Sequence, residues 1–189
     1  MMTMKRFLPL IPAVLLFSVA IISACRQAPP PAPPAPAFRP TATVQDIMDS
    51  MVDPNADVLW ESVATIVNAK GIDERQPRTD DEWKAVRRAA VTLLEATNLL
   101  LIDRQVAKPG VKSENPGIEL GPEEIDAIRK KDPDAWVKYA HGLYDTVVPA
   151  LKAIDAKDAA GLQNAGADID VACENCHQHY WYPNDKKPS

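Results

Sequence analysis

Five consecutive residues near the end of the chain, Cys173-Glu174-Asn175-Cys176-His177, have the types and spacing needed to bind a haem covalently. In a C-x-x-C-H segment the two thiols add to the two vinyl groups of the haem, and the histidine supplies an imidazole to the iron. On a helix, positions i, i+3 and i+4 share one face, so all three side chains can reach one flat ligand. The sequence therefore predicts one covalently bound haem c, attached to Cys173 and Cys176, with His177 as the proximal iron ligand.

Two other kinds of site use cysteines at this spacing. A thioredoxin-like dithiol would follow a β-strand and open a helix, but no β-rich run precedes Cys173. A zinc site could take Cys173, Cys176, His177 and His179, but tetrahedral sites usually draw ligand pairs from two separate segments, and the sequence holds no second pair. Haem attachment is the favoured interpretation, and the other two remain as alternatives.

The first 24 residues have the features of an export signal. Lys5 and Arg6 precede an apolar run from Phe7 to Ala24, which ends in small residues. The ending Ile22-Ser23-Ala24-Cys25 resembles the lipobox of bacterial lipoproteins, in which the cysteine is acylated and becomes the first mature residue. We therefore expect residues 1–24 to be a signal peptide and Cys25 to be lipidated. Ordinary cleavage nearby, which would leave a free thiol, and a membrane span are the alternatives.

Residues 25–42 are predicted to be a lipid-anchor cysteine followed by a linker rich in proline and alanine, and residues 43–189 the folded domain. Such a linker favours an extended polyproline conformation and acts as a stalk, although it could also bind a proline-recognising domain. The three cysteines are then fully used, one for lipid and two for haem, which leaves none for a disulfide. We expect the protein on the periplasmic side of a bacterial membrane, with the outer membrane favoured because Arg26, not aspartate, follows the lipid cysteine.

The charge of the chain restricts its partners. After loss of the signal, 19 basic and 26 acidic side chains remain, a net charge of −7. This charge makes nucleic acid an unfavourable partner, and the membrane would be reached through the lipid anchor only. Redox proteins with a basic docking surface are the expected partners.

The apolar residues repeat at helical spacing along most of the remaining chain. Helices are predicted over residues 43–69, 79–106 and 158–182, and from Asp132 onward, with a short extra helix over residues 122–131. The inward stripe of the first helix is predicted to be Val44, Ile47, Met48, Met51, Leu59, Val63 and Ile66.

Two prolines bear on the continuity of these helices. Pro54 either kinks the first helix or restarts it, and Pro149 bends the helix that follows Asp132 without ending it. No convincing strand pattern is present. The predicted fold class is all-α, an antiparallel four-helix bundle, with the haem inserted in the core because Cys173 and Cys176 lie in phase with the inward stripe of the last helix.

An export signal, four helices and a C-x-x-C-H segment in the last helix resemble the cytochrome c′ family of class II c-type cytochromes, which includes the low-spin cytochromes c-556. In low-spin members of that family a methionine of the first helix binds the second axial position of the iron. The Ile47-Met48 pair resembles that position, so the resemblance implies Met48 as the distal ligand, with Met51 as the substitute. Methionines at inward positions are otherwise ordinary core residues.

The resemblance implies electron transfer in the cell envelope through one haem with histidine and methionine ligands. If Met48 and Met51 only pack, the iron would be five-coordinate, and binding or sensing of NO or CO is the alternative function. His141 and His179 are predicted to be surface residues, so no distal acid–base histidine is placed, and we predict no enzymatic activity. Family members often dimerise, but nothing in the sequence decides whether this chain forms a homodimer.

Overall fold

Helices make up most of the computed structural model, which describes residues 37–185. The predictions for the signal peptide 1–24, for Cys25 and for most of the linker lie outside the described residues. In chain order the elements are α1 (Val44–Ile47), the π-helical turn π1 (Met48–Val52), α2 (Asp53–Ser62), β1 (Ala64–Asn68), β2 (Gly71–Arg75), α3 (Asp80–Leu100), α4 (Pro122–Lys131), α5 (Pro133–Asp155) and α6 (Ala159–Tyr180).

Side-chain caps set the starts of the long helices. The Thr79 Oγ1 accepts a hydrogen bond from the Glu82 amide, and the Glu82 carboxylate accepts one from the Thr79 amide, which together cap α3. The carboxylate of Asp132 caps α5 by accepting from the Ala135 amide, and that of Asp158 caps α6 in the same way. These starts confirm the predicted beginnings of the helices at about residues 79, 132 and 158.

Four helices form a closed ring in which each packs against two neighbours. α1, π1 and α2 follow one another without a break, and this continuous helix, residues 44–62, is called helix A below. Helix A packs on α3 and α6, and α5 fills the remaining place between them. The buried apolar residues of all four helices form one core.

Contacts at the two ends show that the four helices run antiparallel. At one end the Val44 amide donates to the Gln105 carbonyl, just after α3, and the Trp136 indole of α5 donates to the Leu100 carbonyl. At the other end Arg87 of α3 meets Asp155 of α5 at 2.7 Å. The predicted antiparallel four-helix bundle is therefore confirmed. No helix among residues 37–185 is long and apolar enough to cross a membrane.

The prediction that the first helix continues to Ala69 was wrong. Helix A ends at Ser62, and Val63 turns into extended backbone. A β-hairpin follows, in which β1 pairs antiparallel with β2 and Gly71 has a φ of +125° just after the turn. The β-branched run Thr65-Ile66-Val67 favours extended structure, which explains why the helix is not continued there.

The predicted inward stripe of the first helix was also wrong in part. The π turn adds one residue to the spacing, so that Val52 is buried five positions after Ile47 and Met51 is only half-buried. Ile66 lies on the hairpin and is half-buried, whereas Ala56, which is not in the predicted stripe, is buried in the core. The backbone is helical through Pro54, which lies in the first turn of α2 directly after the π turn.

Three further predictions concern the other helices. α3 ends at Leu100, earlier than the predicted Val106, and an irregular connection leads from there to α4. α5 continues through Pro149 without ending there, as predicted, and it ends at Asp155. The short extra helix over residues 122–131 is confirmed as α4.

Candidate haem site

The C-x-x-C-H segment lies in the last two turns of α6. Cys173 and Cys176 are half-buried and pack against the core, and His177 is half-buried beside them. The helix begins at Ala159, far upstream, so the thiols do not open a helix as those of a thioredoxin-like dithiol would. Their i, i+3, i+4 spacing therefore directs all three side chains toward one side of α6, facing the bundle.

These three side chains line an apolar recess at the motif end of the bundle. Met48 of helix A lines the same recess. The remaining lining residues come from all four helices of the ring and are Val52, Leu100, Trp136, Tyr139, Ala140, Leu143 and Ala172. The structure thus brings together Cys173, Cys176, His177 and Met48, the four residues that the sequence suggested for a haem.

Met51, the substitute for Met48, is not among the lining residues. Its backbone carbonyl accepts a hydrogen bond of 2.8 Å from the side-chain amide of Asn55. The residue is half-buried against the edge of the core. Of the two methionines in the described part of the chain, only Met48 reaches the recess.

Burial determines the protonation of the motif side chains. It raises the pKa of the Cys173 thiol to about 11 and that of the Cys176 thiol to about 12, so both are protonated at neutral pH. It also lowers the pKa of His177, although the nearby carboxylates of Glu174 and Asp53 act in the opposite direction. The imidazole is therefore neutral at pH 7, which is the form that can offer a nitrogen lone pair to iron.

Two aromatic rings cover the imidazole of His177. The Trp181 ring lies edge-on to it with centroids 5.3 Å apart, and the Tyr182 ring lies 5.9 Å away. The Tyr182 hydroxyl donates to the Glu174 carboxylate at 3.2 Å, which holds the phenol in place. Trp181 is 42% exposed, so its ring contacts both the imidazole and the solvent.

A second aromatic cluster lies behind the recess. Trp136 and Tyr139 line the recess, and the buried ring of Tyr180 packs against both, with centroid distances of 5.0 and 5.6 Å. His179 is exposed and stacks on Tyr139, and His141 is exposed on α5. Neither histidine lines the recess, as predicted. Tyr139 could have been found from the sequence, since it follows Trp136 by three positions on the same helix.

The donors at the recess suit a covalently attached haem. Two thiols and an imidazole project from one helix, a thioether lies on a neighbouring helix, and the remaining lining is apolar apart from the polar edges of Trp136 and Tyr139. Between residues 37 and 185, no group of three or more His, Cys, Asp or Glu side chains is arranged to hold a metal ion directly.

The chain was compared with protein-family models, curated proteins and solved structures. No protein-family model matches the chain, and no curated protein matches it. Among solved structures, the chain is similar to a cytochrome c′ with 19% sequence identity and a TM-score of 0.44, over 75% of this chain and 99% of the other. It is also similar to a ferrous variant of cytochrome c prime from Alcaligenes xylosoxidans with bound NO, with 18% identity and a TM-score of 0.44, over 78% of this chain and all of the other.

Proposed function

We propose that this chain is a c-type cytochrome that carries electrons through one covalently bound haem in the bacterial cell envelope. The observation that supports this most directly is the convergence of Cys173, Cys176, His177 and Met48 on one apolar recess. Two thiols and a histidine at this spacing on one helix face have no other use that the surrounding residues support. The export signal and Cys25 add a periplasmic, lipid-anchored location to the proposal.

Each of these side chains has a distinct role. Cys173 and Cys176 would hold the haem through thioether bonds, His177 would bind the iron from α6, and Met48 would bind it from helix A. When bound, the haem supplies a one-electron iron couple whose potential depends on its axial ligands and its burial. The apolar lining of Val52, Leu100, Ala140, Leu143 and Ala172 would exclude water from that couple.

The side chains around His177 would connect the site with the surface. Trp181 lies against the imidazole and is partly exposed, so a redox partner that contacts Trp181 comes close to the proximal ligand. The carboxylates of Asp53 and Glu174 act on His177 from the same region. A basic surface on the partner would complement these charges.

Attachment of the haem is tested by mass spectrometry of the mature protein expressed with a working haem-maturation system. We expect one haem added through two thioether bonds, which remains after extraction with acidified organic solvent. The C173A/C176A variant should lose the pigment to that extraction. A wild-type chain that is colourless, or that releases its haem to the solvent, would contradict the proposal.

The absorption spectrum of the reduced protein with and without carbon monoxide separates electron transfer from gas binding. With His177 and Met48 both bound, we expect a low-spin spectrum and slow uptake of carbon monoxide. The M48L variant should become high-spin and bind carbon monoxide rapidly. A wild-type protein that already behaves like M48L would favour the five-coordinate alternative, in which NO or CO binds.

A further inference from the structure

The π-helical turn in helix A lies at the residues that face the recess. The Asp53 amide donates to the Met48 carbonyl, five residues back, where an α-helix would bond four residues back. π turns inside α-helices are rare and are frequent at functional sites. Met48 is the first residue of this turn, and Val52, its last, also lines the recess.

Two residues that follow the turn explain why it forms here. Pro54 has no amide hydrogen for the Ser50 carbonyl, and its ring would clash with that carbonyl in a regular α-helix. The Met51 carbonyl, whose α-helical partner would be the Asn55 amide, accepts from the Asn55 side chain at 2.8 Å. Both features favour a widened turn directly before Pro54.

The start of helix A is held in a fixed rotation. Thr43 and Asp46 form a capping box, and the amides of Val44 and Gln45 donate to the carbonyls of Gln105 and Val106 at 2.9 Å. With this rotation fixed, Ile47 is buried at 1% exposure. A regular α-helix would then place the next inward side chain four residues later, at Met51.

The π turn changes which residue occupies this inward position. It moves the next inward position from Met51 to Val52, which is 5% exposed and lines the recess. The recess therefore receives one thioether, that of Met48, and an inert isopropyl group in place of a second thioether.

We infer that Pro54 and Asn55 are positioning residues, which through the π turn keep Met51 out of the recess and leave Met48, of the two methionines between residues 37 and 185, as the one available to the haem iron. The inference rests on the proposed haem function. It adds that the choice between two closely spaced methionines is made by the backbone and not by the methionine side chains themselves.

The test compares the NMR spectra of the wild-type holoprotein and P54A/N55A. The ε-methyl resonances of the two methionines are assigned with the M48L and M51L variants. In the wild type we expect the chemical shift of the Met48 ε-methyl group to be moved out of the ordinary range by the ring currents at the recess. The chemical shift of the Met51 ε-methyl group should lie in the ordinary range. In P54A/N55A the turn should return to α-helix, and the Met51 methyl should become displaced as well. D57A/V58A, which alters exposed residues of α2 outside the turn, is the matched control and should resemble the wild type. P54A alone serves if the double variant does not fold.

A second measurement follows methionine ligation of the iron. M48L should lose methionine ligation in the wild-type background, as seen in the near-infrared charge-transfer band, and should retain it through Met51 in the P54A/N55A background. If the Met51 methyl resonance is the same in both backgrounds, the inference is overturned, whatever the iron ligands are. If the methyl resonances respond as expected while M48L leaves the iron spectrum unchanged, the inference stands and methionine ligation in the proposed function fails.

Discussion

Tyr180 combines a fully packed ring with a hydroxyl that has no hydrogen-bond partner among the described residues. The residue is 3% exposed, and its ring contacts Trp136 and Tyr139. A buried polar group without a partner lowers stability by about 1–3 kcal/mol, because its hydration is lost without replacement. The ring therefore stabilises the core at the same time as the hydroxyl weakens it.

The Y180F variant keeps the ring and removes only this hydroxyl. We expect it to raise the free energy of unfolding by about 1 kcal/mol, measured by urea denaturation of the holoprotein. Y139F, in the same aromatic cluster but at a half-buried position, should change stability by less than about 0.5 kcal/mol. A clear loss of stability in Y180F would mean that the hydroxyl has a bonded partner in solution.

Arg129 is a buried cation that fastens α4 to the bundle. Its guanidinium donates to Asp103 at 3.1 Å, to Asp126 at 2.8 Å and to the Arg104 carbonyl at 2.8 Å, and it lies 5.6 Å from the centre of the Trp136 ring. Lys130 pairs with Asp126 as well, but its side chain is 65% exposed, against 9% for Arg129. The two cations thus share one carboxylate at very different depths.

The R129M and K130M variants test whether depth decides the contribution of each cation. We expect R129M to lower the free energy of unfolding by about 2–3 kcal/mol, because the Arg104 carbonyl and Asp126 lose their buried donor. K130M should lower it by less than about 1 kcal/mol, since solvent screens an exposed pair. Equal effects in urea denaturation would show that the charge pairing at Asp126, and not the buried network, determines the free energy of unfolding.

The start of helix A depends on a pair of reciprocal hydrogen bonds that also give a pH dependence. The Asp46 carboxylate accepts from the amide and the hydroxyl of Thr43 at 3.0 and 2.9 Å and pairs with Lys108, and these bonds hold the pKa of Asp46 below its ordinary value of 3.8. A carboxyl whose pKa is lowered by folding stabilises the folded state above the unfolded pKa. That contribution is lost as the pH falls through the folded pKa.

We therefore expect D46N to lower the urea midpoint at pH 7 and to differ less from the wild type as the pH is lowered below 3.8. D49N removes an exposed carboxylate one turn later and serves as the control, with a smaller effect at pH 7. A constant difference between D46N and the wild type from pH 7 to pH 3 would contradict the titration of Asp46 as the cause.

The elements that the sequence predicted well are those with local signals. Thr79 with Glu82 and Asp132 with Pro133 each contain their cap within four residues, so α3 and α5 begin where expected. The haem motif could be placed for the same reason, because its three functional residues share one turn of one helix. Met48 came from the resemblance and an inward stripe, and it indeed lines the recess.

The elements that were missed lie where the local sequence is compatible with more than one backbone conformation. Pro54 by itself is compatible with a kink, a restart or a widened turn. The widened turn occurs together with the side-chain bond from Asn55 to the Met51 carbonyl and with the burial of both Ile47 and Val52. The run from Val63 to Val67 satisfies an inward helical spacing as well as a strand, and the hairpin forms although much of it is exposed. The hydrogen bond from the Trp60 indole to the Gly166 carbonyl, which fixes the end of helix A against α6, has no signal in either segment.

At the scale of the whole molecule, the antiparallel order brings two helix starts and two helix ends to the haem-motif end. The motif lies near the end of α6, and the recess takes Met48 from the start of helix A, Leu100 from the end of α3 and Trp136 from the start of α5. The opposite end is fastened by Arg87 with Asp155 and by Lys157 with Asp80. The recess and these two ion pairs therefore lie at opposite ends of the bundle.

The acidic charge of the protein should make its rate of electron transfer with charged reagents depend on ionic strength. Residues 37–185 contain 26 acidic and 16 basic side chains, and Asp53 and Glu174 act on His177 itself. We expect the rate constant for oxidation of the reduced protein by hexaammineruthenium(III), a cation, to fall as the ionic strength rises from about 0.01 M to about 0.2 M. The rate constant with ferricyanide, an anion, should rise over the same range, both measured by stopped-flow absorption.

The position of the charges, rather than their sum, is tested by two variants that each remove one carboxylate. D53N changes an exposed carboxylate beside the haem motif, and D155N changes one that pairs with Arg87 at the opposite end. Because screened interactions weaken beyond about 8–10 Å, D53N should reduce the salt dependence with the ruthenium cation more than D155N does. If both variants reduce it equally, the net charge of the bundle governs the encounter, and the region around His177 is not where a cationic partner approaches.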